Sequence, residues 1–393
     1  MFRKLIGVYI ILGLVSVSVF TLTINNELDE LDEDMEEYSE RKGKILFPFV
    51  SIVRFANTDC ANTNVMNGTC LARRECNNLG GTITGTCANR RGRCCVVSRG
   101  CGTTTNVNNT YFSSPGYPAA FGGGAACSII VNRCNNNVCQ LRIDFLDMVL
   151  AQPNGDGNCV TDAITITGGN TVVPVICGDN TGQTIYVDFN GNAAITISIA
   201  ATPATAFRRR WNIRLVQLGC DCPGIAPNGC LQYYRGATGT INSFNYGGTA
   251  NTGLSASLVT GTRQLANLNY GICIRMEAGF CAIQYAQNGG LFTFTVSGDV
   301  EGADNTVLGT AVGAANDGAC TTDFVVIPNP TVVATGVAVG TDRFCGLGFV
   351  PVSSAAKPFV LYVVTNGDEG ATINSPPDVA NRGFSLAYTQ IAC

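Results

Sequence analysis

Residues 159–166 read CVTDAITI, and residues 320–327 read CTTDFVVI. Each copy has a cysteine, two small residues, an aspartate and a run rich in β-branched residues, and each precedes a Cys-Gly pair, at Cys177 and Cys345. Short runs of β-branched residues are typical of strands. The repetition therefore predicts two related β-domains in one chain, with the same corner at the start of one strand in each.

The composition indicates a β-rich protein with many turns. Only 13% of the 393 residues are charged, against roughly 25% in ordinary globular proteins, and Gly, Thr and Asn separate short runs of Ile, Val and Phe. The chain is long enough for two or three domains. Histidine is absent, which excludes catalytic systems with an imidazole base and zinc sites with His ligands.

The N-terminus has the pattern of a secretory signal. A basic pair, Arg3 and Lys4, precedes an apolar stretch at residues 5–22, which predicts a signal peptide over residues 1–22. The alternative is an uncleaved signal anchor, because a stretch of this length just spans a bilayer. In both cases the remaining chain faces the oxidising side, where its 20 cysteines are expected to form disulfides. We therefore expect an extracellular protein without a further membrane span.

Residues 23–44 form an acidic segment, with nine acids between Glu27 and Glu40. Such a segment cannot bury enough apolar surface to fold alone. It is either a solvated spacer or a pro-segment removed at the basic residues that follow, which are Arg41, Lys42 and Lys44. Residues 45–100 then hold seven Arg against two acids, whereas residues 219–393 hold eleven acids against six bases.

The segment 45–100 contains six cysteines within 36 residues: Cys60, Cys70, Cys76, Cys87, Cys94 and Cys95. A segment this short cannot bury a core without staples, so these cysteines are expected to pair among themselves in a connectivity that the sequence leaves open. Their order, ending in an adjacent pair, resembles the clip module found ahead of arthropod serine proteases and their inactive homologues. The resemblance implies a small interaction module, and a stapled cap without a ligand is the alternative.

Residues 101–218 alternate in the manner of half-buried strands. Ile195, Ile197 and Ile199 alternate with Thr196 and Ser198. Turn-rich stretches separate such runs and no helical period appears, which predicts a two-sheet sandwich.

Several motifs in this segment resemble the CUB domain. In order they are Cys101, SSPGYPAAF at residues 113–121, Cys127, QLRIDF, Cys159-Val-Thr-Asp162 and Cys177-Gly178. The resemblance implies a jelly-roll-like sandwich with the bonds Cys101–Cys127 and Cys159–Cys177. Cys134 and Cys139 are left over, and the four residues between them predict a hairpin-tip disulfide, Cys134–Cys139.

Residues 219–393 follow the same plan less closely. The phrases KPFVLYVVTN and NRGFSLAY resemble the closing strands of a CUB domain. By analogy with the first domain we pair Cys230 with Cys273 and Cys320 with Cys345. The cysteines that remain are expected to pair among themselves in one of three ways; they are Cys220, Cys222, Cys281 and Cys393.

The predicted fold class is therefore all-β, with two CUB-like jelly-roll β-sandwiches preceded by a small disulfide-rich clip-like module. This order without a protease domain resembles a group of secreted insect proteins described by their CUB content. We expect a non-catalytic binding protein for an extracellular protein or glycan. The alternatives are a regulator or docking cofactor of a clip-protease cascade and a structural component of extracellular matrix or venom. Nucleic acid is not an expected partner, because the start is secretory and the body is neutral.

The CUB resemblance also raises the question of calcium. Many CUB domains bind calcium through a tyrosine, a glutamate, the aspartate after the third cysteine and an aspartate in a late loop. The first domain has Asp162, but Phe121 and Ala151 stand at the tyrosine and glutamate positions. The second domain has Asp323 and Asp368, without a matching glutamate. Calcium takes six to eight oxygen ligands, so we expect no cofactor; calcium at these three aspartates is the alternative.

The favoured role for Asp162 and Asp323 is structural. Aspartate side chains commonly accept backbone N–H bonds at bends. We therefore expect each carboxylate to brace the bend that follows its cysteine.

The segment FRRRWNIRL at residues 207–215 is the strongest cationic motif. In a strand, Trp211, Ile213 and Leu215 would face one side, and the opposite side would carry Arg208, Arg210 and Arg214. Three guanidinium groups in a row predict a site for an anion or an acidic partner. The favoured interpretation is nevertheless a solvated face over a core tryptophan, with the anion site as the alternative.

Two sequons, at Asn67 and Asn108, predict glycosylation in a secreted chain.

Overall fold

The computed structural model describes residues 55, 57–61, 66–203, 209–247, 262–289, 293–296, 320–367 and 381–393. These residues form strands with almost no helix, so the predicted all-β fold class is confirmed. The chain divides into two compact units, with the boundary between Val97 and Ser98. Several predicted features lie outside the described residues: segments 1–22 and 23–44, Arg41, Lys42, Lys44, Arg208 and Asp368.

The first unit is a small antiparallel sheet held by disulfides. Its elements are β1 (Asp59–Ala61), β2 (Asn67–Leu71), α1 (Arg73–Asn78), β3 (Thr82–Cys87) and β4 (Gly92–Arg99). β1 pairs with β2, and β4 pairs with both β2 and β3. The bonds of this unit are Cys60–Cys94, Cys70–Cys87 and Cys76–Cys95. The six cysteines of the module thus pair among themselves, in the order first–fifth, second–fourth and third–sixth.

The second unit begins with a sandwich of two sheets. Its strands are β5 (Thr103–Thr105), β6 (Thr110–Ser113), β7 (Cys127–Val131), β8 (Val138–Val149), β9 (Asp162–Thr167), β10 (Thr184–Asp188), β11 (Ile195–Ala201) and β12 (Arg210–Gly219). One sheet has the order β6-β12-β8-β10, and the other has the order β5-β7-β11-β9. All pairs are antiparallel except β5 with β7.

The strand alternation explains this sandwich. Ile195, Ile197 and Ile199 of β11 are fully buried, while Thr196 and Ser198 between them are partly exposed. Each strand therefore contributes one apolar face to the layer between the sheets. Trp211 of β12, the only tryptophan of the chain, is fully buried in this layer.

The disulfides of the first sandwich include Cys101–Cys127 and Cys159–Cys177, the two bonds that the CUB resemblance implies. The predicted bond Cys134–Cys139 is wrong, because Cys139 is bonded to Cys220. Sheet register explains the difference: Gln140 and Val138 of β8 lie opposite Leu218 and Gly219 of β12, which leaves Cys139 at the register shift between them and next to the end of β12, where Cys220 follows. Cys134 is an exposed thiol and Cys222 a partly exposed one.

A second sandwich follows in the same unit. Its strands are β13 (Cys230–Tyr234), β14 (Thr238–Asn242), β15 (Asn269–Ile274), β16 (Phe280–Gln287), β17 (Phe294–Thr295), β18 (Phe324–Val326), β19 (Pro330–Val332), β20 (Arg343–Phe344), β21 (Val352–Ser354), β22 (Phe359–Val364) and β23 (Gly383–Ala392). One sheet has the order β13-β15-β22-β18-β20. The other has the order β14-β23-β16-β21-β19, with β17 beside β23.

The second sandwich has the bonds Cys230–Cys273 and Cys320–Cys345, which the analogy with the first domain predicts. Cys281 is bonded to Cys393, which fastens the last residue of the chain. The expectation that Cys220, Cys222, Cys281 and Cys393 pair only among themselves is wrong for the first two, because Cys220 belongs to the sheet of the first sandwich.

The two sandwiches pack on each other, and Asn245 is the central polar contact between them. Asn245 is fully buried, and its Oδ1 accepts the N–H of Asp179 at 2.9 Å. Its Nδ2 donates to Gln152 Oε1 at 2.7 Å, and its N–H donates to Asn180 Oδ1 at 2.8 Å. The side chain and the backbone N–H of Asn245 thus make three hydrogen bonds to the first sandwich. Gly178 provides the space, because a Cβ there would lie 2.0 Å from Asn245 Oδ1.

Candidate functional site

The aspartate of CVTDAITI lies at the beginning of β9 in an entirely buried ion pair. Arg209 Nε is 2.7 Å from Asp162 Oδ2, and both side chains have no solvent exposure. The same carboxylate oxygen accepts the N–H of Ala151 at 2.9 Å. The second oxygen, Oδ1, is buried without a hydrogen-bond partner among the described residues.

The corresponding aspartate in the second sandwich, Asp323, is also held by a backbone N–H group, but the donor comes from a different segment. Asp323 is fully buried, and its Oδ1 accepts the N–H of Asn366 at 2.8 Å. Both aspartates therefore accept a backbone N–H, as the sequence predicts. The predicted location at the local bend is wrong, because Ala151 and Asn366 belong to other segments. Full burial explains this, since a buried carboxylate is held by the segments that pack around it.

The residues around Asp162 do not fit calcium. Phe121 and Ala151 supply no side-chain oxygen, and Asp162 already binds a cation, the Arg209 guanidinium. Calcium needs six to eight oxygens, and Asp162 is the one carboxylate of the expected ligand set that this domain retains. Of the second set, Asp368 lies outside the described residues, so the fit around Asp323 stays open. The part of the chain that the structure describes holds no group of three or more His, Cys, Asp and Glu side chains placed for a metal.

Arg209 is the functional residue that the sequence analysis missed. It lies on the opposite side of the strand from the predicted arginine stripe. Arg209 shares the alternation of Trp211, Ile213 and Leu215, and all four residues are buried. The alternation therefore carries the signal that Arg209 faces the core. The burial of an arginine is explained only by its ion-pair partner Asp162, which lies 47 residues earlier in the sequence.

The described members of the predicted arginine stripe are engaged within the fold. Arg210 Nε lies 2.6 Å from Asp147 Oδ2, and the Asp147 carboxylate raises the pKa of Arg210 through this hydrogen bond. Arg214 donates from Nε and Nη2 to Asn109 Oδ1 at 3.0 and 2.5 Å. These two arginines thus hold strands and loops of the first sandwich together, which favours the interpretation as a structural face.

The two predicted glycosylation positions lie in different local structures, Asn67 in a strand and Asn108 in the turn between β5 and β6. Asn67 begins β2 and is partly exposed. Asn108 is also partly exposed, and its Oδ1 accepts the N–H groups of Asn109 and Gln217 at 2.9 and 2.8 Å. Glycosylation of either residue remains a prediction.

Both sandwiches line a groove at their junction. It has a volume of about 700 Å³ and takes Asn170, Thr171 and Val172 from the first sandwich. From the second it takes Asn228, Gly229, Asn269 and Tyr362. Asn228, Gly229 and Tyr362 also line an adjoining cavity of about 290 Å³, which continues to Met276 and Lys357. We call these two cavities together the Tyr362 groove.

Exposed apolar side chains mark the Tyr362 groove. Val172 is 84% exposed, Met276 is 46% exposed and Tyr362 is 42% exposed. The amides of Asn170, Asn228 and Asn269 are exposed beside them. Tyr233 also lines the groove, and burial raises the pKa of its hydroxyl, which therefore stays neutral.

The sequence analysis did not single out the residues of this groove. They lie on separate strands and loops of two sandwiches, so no local spacing connects them. The signal available was only the isolated apolar residue, such as Val172 in the turn-rich segment GGNTVVP. Their proximity comes from the packing of the two sandwiches through Asn245.

Comparison with known proteins agrees with the duplication. The model of the CUB domain family matches residues 101–212, and that of the animal CUB domain family matches residues 227–391. No match to this chain was found among curated proteins. Within the described residues, no helix has the length and hydrophobicity that a membrane span requires.

Solved structures with similarity to this chain come from multidomain proteins. The CUB1-EGF-CUB2 domains of rat MASP-1 are 13% identical and have a TM-score of 0.26, with 73% of this chain and 100% of that chain covered. The CUB1-EGF-CUB2 domain of human MASP-1/3 is 15% identical and has a TM-score of 0.23, with 72% and 98% covered. The extracellular region of zebrafish Gpr126/Adgrg6 is 13% identical and has a TM-score of 0.25, with 74% and 36% covered. On the two family matches and the paired sandwiches, this chain is a protein with two CUB domains, at residues 101–212 and 227–391.

Proposed function

We propose that this chain is a secreted, non-catalytic binding protein that holds an extracellular protein in the Tyr362 groove. The observation that carries the proposal is the composition of the groove, which takes its lining from both CUB domains and leaves Val172 and Tyr362 exposed. Apolar and aromatic side chains exposed beside amides are typical of the centres of protein interfaces. Because each CUB domain supplies only part of the lining, the pair acts as one receptor.

The charges at one end of the groove suggest the chemistry of the partner. Lys357 is exposed there beside Met276. Arg275 lies in the same cavity, with its Nη2 at 3.3 Å from Glu277 Oε2. A protein segment with an apolar side chain next to a carboxylate fits this combination. A glycan is the second ligand class that the exposed amides suit, and the experiment below separates the two.

Secretion is part of the proposal and rests on the cysteines and the N-terminus. Nine disulfides in one chain require an oxidising compartment, and residues 1–22 have the pattern of a secretory signal. The non-catalytic role rests on the absence of histidine and on the two CUB domains, which are binding modules. A purified chain that turned over substrates in a peptide or glycoside panel would contradict it.

The test uses the complete secreted chain to capture partners from extracellular fluid. The captured protein is then identified, and its affinity is measured for the wild type, Val172→Glu and Tyr362→Ala. We expect each substitution to weaken binding at least about tenfold, because both are exposed apolar side chains that line the groove. Enzymatic removal of glycans from the partner should leave the affinity unchanged.

Val337→Glu is the matched control. Val337 is another exposed valine of the chain, at 62%, and it lies outside both cavities of the groove. It should bind the partner like the wild type. Equal binding by Val172→Glu and Val337→Glu would contradict binding in the Tyr362 groove. Loss of binding after glycan removal would show that the ligand is a glycan.

The six-cysteine module supports a second candidate, a docking role in a clip-protease cascade. The turn between β3 and β4 holds three residues with positive φ, Ala88 at 48°, Asn89 at 56° and Arg90 at 69°. This turn exposes Arg90 and Arg91 at one end of the module. Deletion of residues 23–44 should strengthen binding to clip proteases if the acidic segment masks these arginines, and Arg90→Ala/Arg91→Ala should reverse the gain. Unchanged binding after the deletion would count against this role.

A further inference from the structure

We propose that Arg209 is a built-in replacement for calcium in the first CUB domain, so that this domain folds and functions without the metal. The guanidinium group binds Asp162, the one carboxylate that remains of the set expected for calcium. Phe121 and Ala151, at two of the three other positions, contact the same pair: Phe121 N–H donates to the Arg209 carbonyl at 2.8 Å, and Ala151 N–H donates to Asp162 at 2.9 Å.

Charge balance favours an arginine at this position over a metal. Asp162 and Arg209 are both fully buried, and a buried charge is retained only when an opposite charge compensates it. One carboxylate balances one guanidinium group. A divalent ion beside the same single carboxylate would leave a net positive charge in the interior and most of its six to eight oxygen positions empty.

The surrounding backbone is shaped around the guanidinium group. A Cβ at Gly123 would lie 2.2 Å from Arg209 Nη1 and 2.4 Å from the carbonyl oxygen of Thr202. Gly123 also has a φ of +82°, which few other residues adopt. The ring of Phe121 packs edge-on against Trp211, with centroids 5.7 Å apart, close to the place where the arginine enters the core.

The guanidinium group also excludes a metal directly. Its Nε lies 2.7 Å from Asp162 Oδ2, and calcium bonds to carboxylate oxygen at about 2.3–2.6 Å. Two cations cannot share this oxygen in a buried site because of their mutual repulsion. Calcium binding at Asp162 therefore requires removal of Arg209.

The single tryptophan makes the test specific to the first domain. Trp211 is two residues from Arg209 and is the only tryptophan in the chain, so its fluorescence reports unfolding of this domain. The thermal midpoint of the Trp211 signal is measured for the complete chain with millimolar calcium and with a chelator. Because the two domains can unfold together, the same measurement is made on Asp323→Asn, which removes the candidate calcium carboxylate of the second domain. In Asp323→Asn we expect the same midpoint in both conditions.

Two variants then test whether Arg209 is the reason. Phe121→Tyr/Ala151→Glu/Arg209→Ala supplies two of the three missing ligands and removes the arginine, and calcium should raise its Trp211 midpoint by about 5 °C or more. Tryptophan-sensitised terbium luminescence should appear in the same variant. The matched control Phe121→Tyr/Ala151→Glu keeps Arg209 and should show neither effect.

Three results would overturn the proposal. They are a calcium-dependent Trp211 midpoint that persists in Asp323→Asn, calcium binding by the control variant equal to that of the triple variant, and a triple variant that folds but ignores both metals. Where the triple variant does not fold, Asp323→Asn and the control variant still decide, because each is expected to ignore calcium and terbium.

Discussion

Arg209 Nε and Asp162 Oδ2 form a 2.7 Å ion pair in the fully buried interior of the first CUB domain. The pair connects the start of β9 to the residue that precedes β12, and thereby the two sheets of the sandwich. The aspartate of the repeated CVTD motif is thus a structural anchor in this domain. Its partner Arg209 comes from the segment that leads into β12.

The first prediction concerns the stability of this pair. Arg209→Met leaves the Asp162 carboxylate buried without its cation, and removal of one partner of a buried pair costs about 3–5 kcal/mol. Arg209→Met/Asp162→Leu removes both charges and should recover most of that loss. Denaturant unfolding followed by Trp211 fluorescence measures the free energies for a double-mutant cycle. Additive effects of the two single substitutions, or a loss below about 1 kcal/mol for Arg209→Met, would contradict the pairing.

The ion pair also shows how far the sequence reaches. Alternation along residues 207–215 correctly places Trp211, Ile213 and Leu215 in the core, because side-chain direction in a strand is local. The same alternation places Arg209 inward, but an arginine in the core is explained only by a counter-charge. That counter-charge, Asp162, comes from another strand, and strand neighbours depend on the complete topology.

The disulfides also divide into those that a local sequence pattern predicts and those that depend on the complete topology. Cys159–Cys177 closes a short segment within a recognisable motif, so the family pattern is sufficient to assign it. Cys139–Cys220 spans 81 residues and depends on the register of β8 against β12. The spacing of Cys134 and Cys139 is short enough for a hairpin bond, and the register nevertheless gives Cys139 another partner.

The second prediction concerns this bond and the thiols it leaves. Trypsin cleaves after Arg133 and Arg142, so one peptide contains both Cys134 and Cys139. Without reduction, this peptide should be joined through Cys139 to the peptide 215–235, which contains Cys220, and Cys134 should carry an alkylation label. Although Cys134 is an exposed residue, partial desolvation of its sulfur by the surrounding loop raises the pKa of the thiol, so native labelling near pH 8 should be slower than for a small thiol and should accelerate with rising pH. An internal Cys134–Cys139 bond would contradict the assignment.

The third prediction concerns the contact between the CUB domains. Asn245→Gly keeps the left-handed backbone, where Asn245 has a φ of 58°, but it removes the acceptor for Asp179 N–H and the donor to Gln152. Loss of these buried hydrogen bonds should cost about 2–4 kcal/mol. Calorimetry should change from one unfolding transition to two, as the domains uncouple.

Asn329→Gly is the matched control for this substitution. Asn329 has a similar φ of 55° but is exposed on the second domain. It should keep a single transition and a stability close to that of the wild type. Uncoupling by both variants would point to backbone entropy, and uncoupling by neither would remove Asn245 as the central contact.

The fourth prediction concerns alkaline pH and Tyr285 in β16. Tyr285 is 1% exposed, and its hydroxyl has no hydrogen-bond partner among the described residues. Burial raises the pKa of Tyr285 above its value in the unfolded chain, which is about 10. The unfolded chain therefore releases the proton first, so this contribution to stability is complete below about pH 10 and is lost as the pH rises, by up to about 1.4 kcal/mol per pH unit.

Tyr285→Phe should weaken this alkaline loss. The variant removes a buried hydroxyl, so it should match or exceed wild-type stability at pH 8 by up to about 1 kcal/mol. Denaturant unfolding between pH 8 and 11, with Cys134 and Cys222 blocked to prevent disulfide exchange, measures both effects. Tyr362→Phe, at a tyrosine with 42% exposure, is the control and should follow the wild-type pH profile. Equal alkaline loss in Tyr285→Phe and in the wild type would show that other groups control unfolding at high pH.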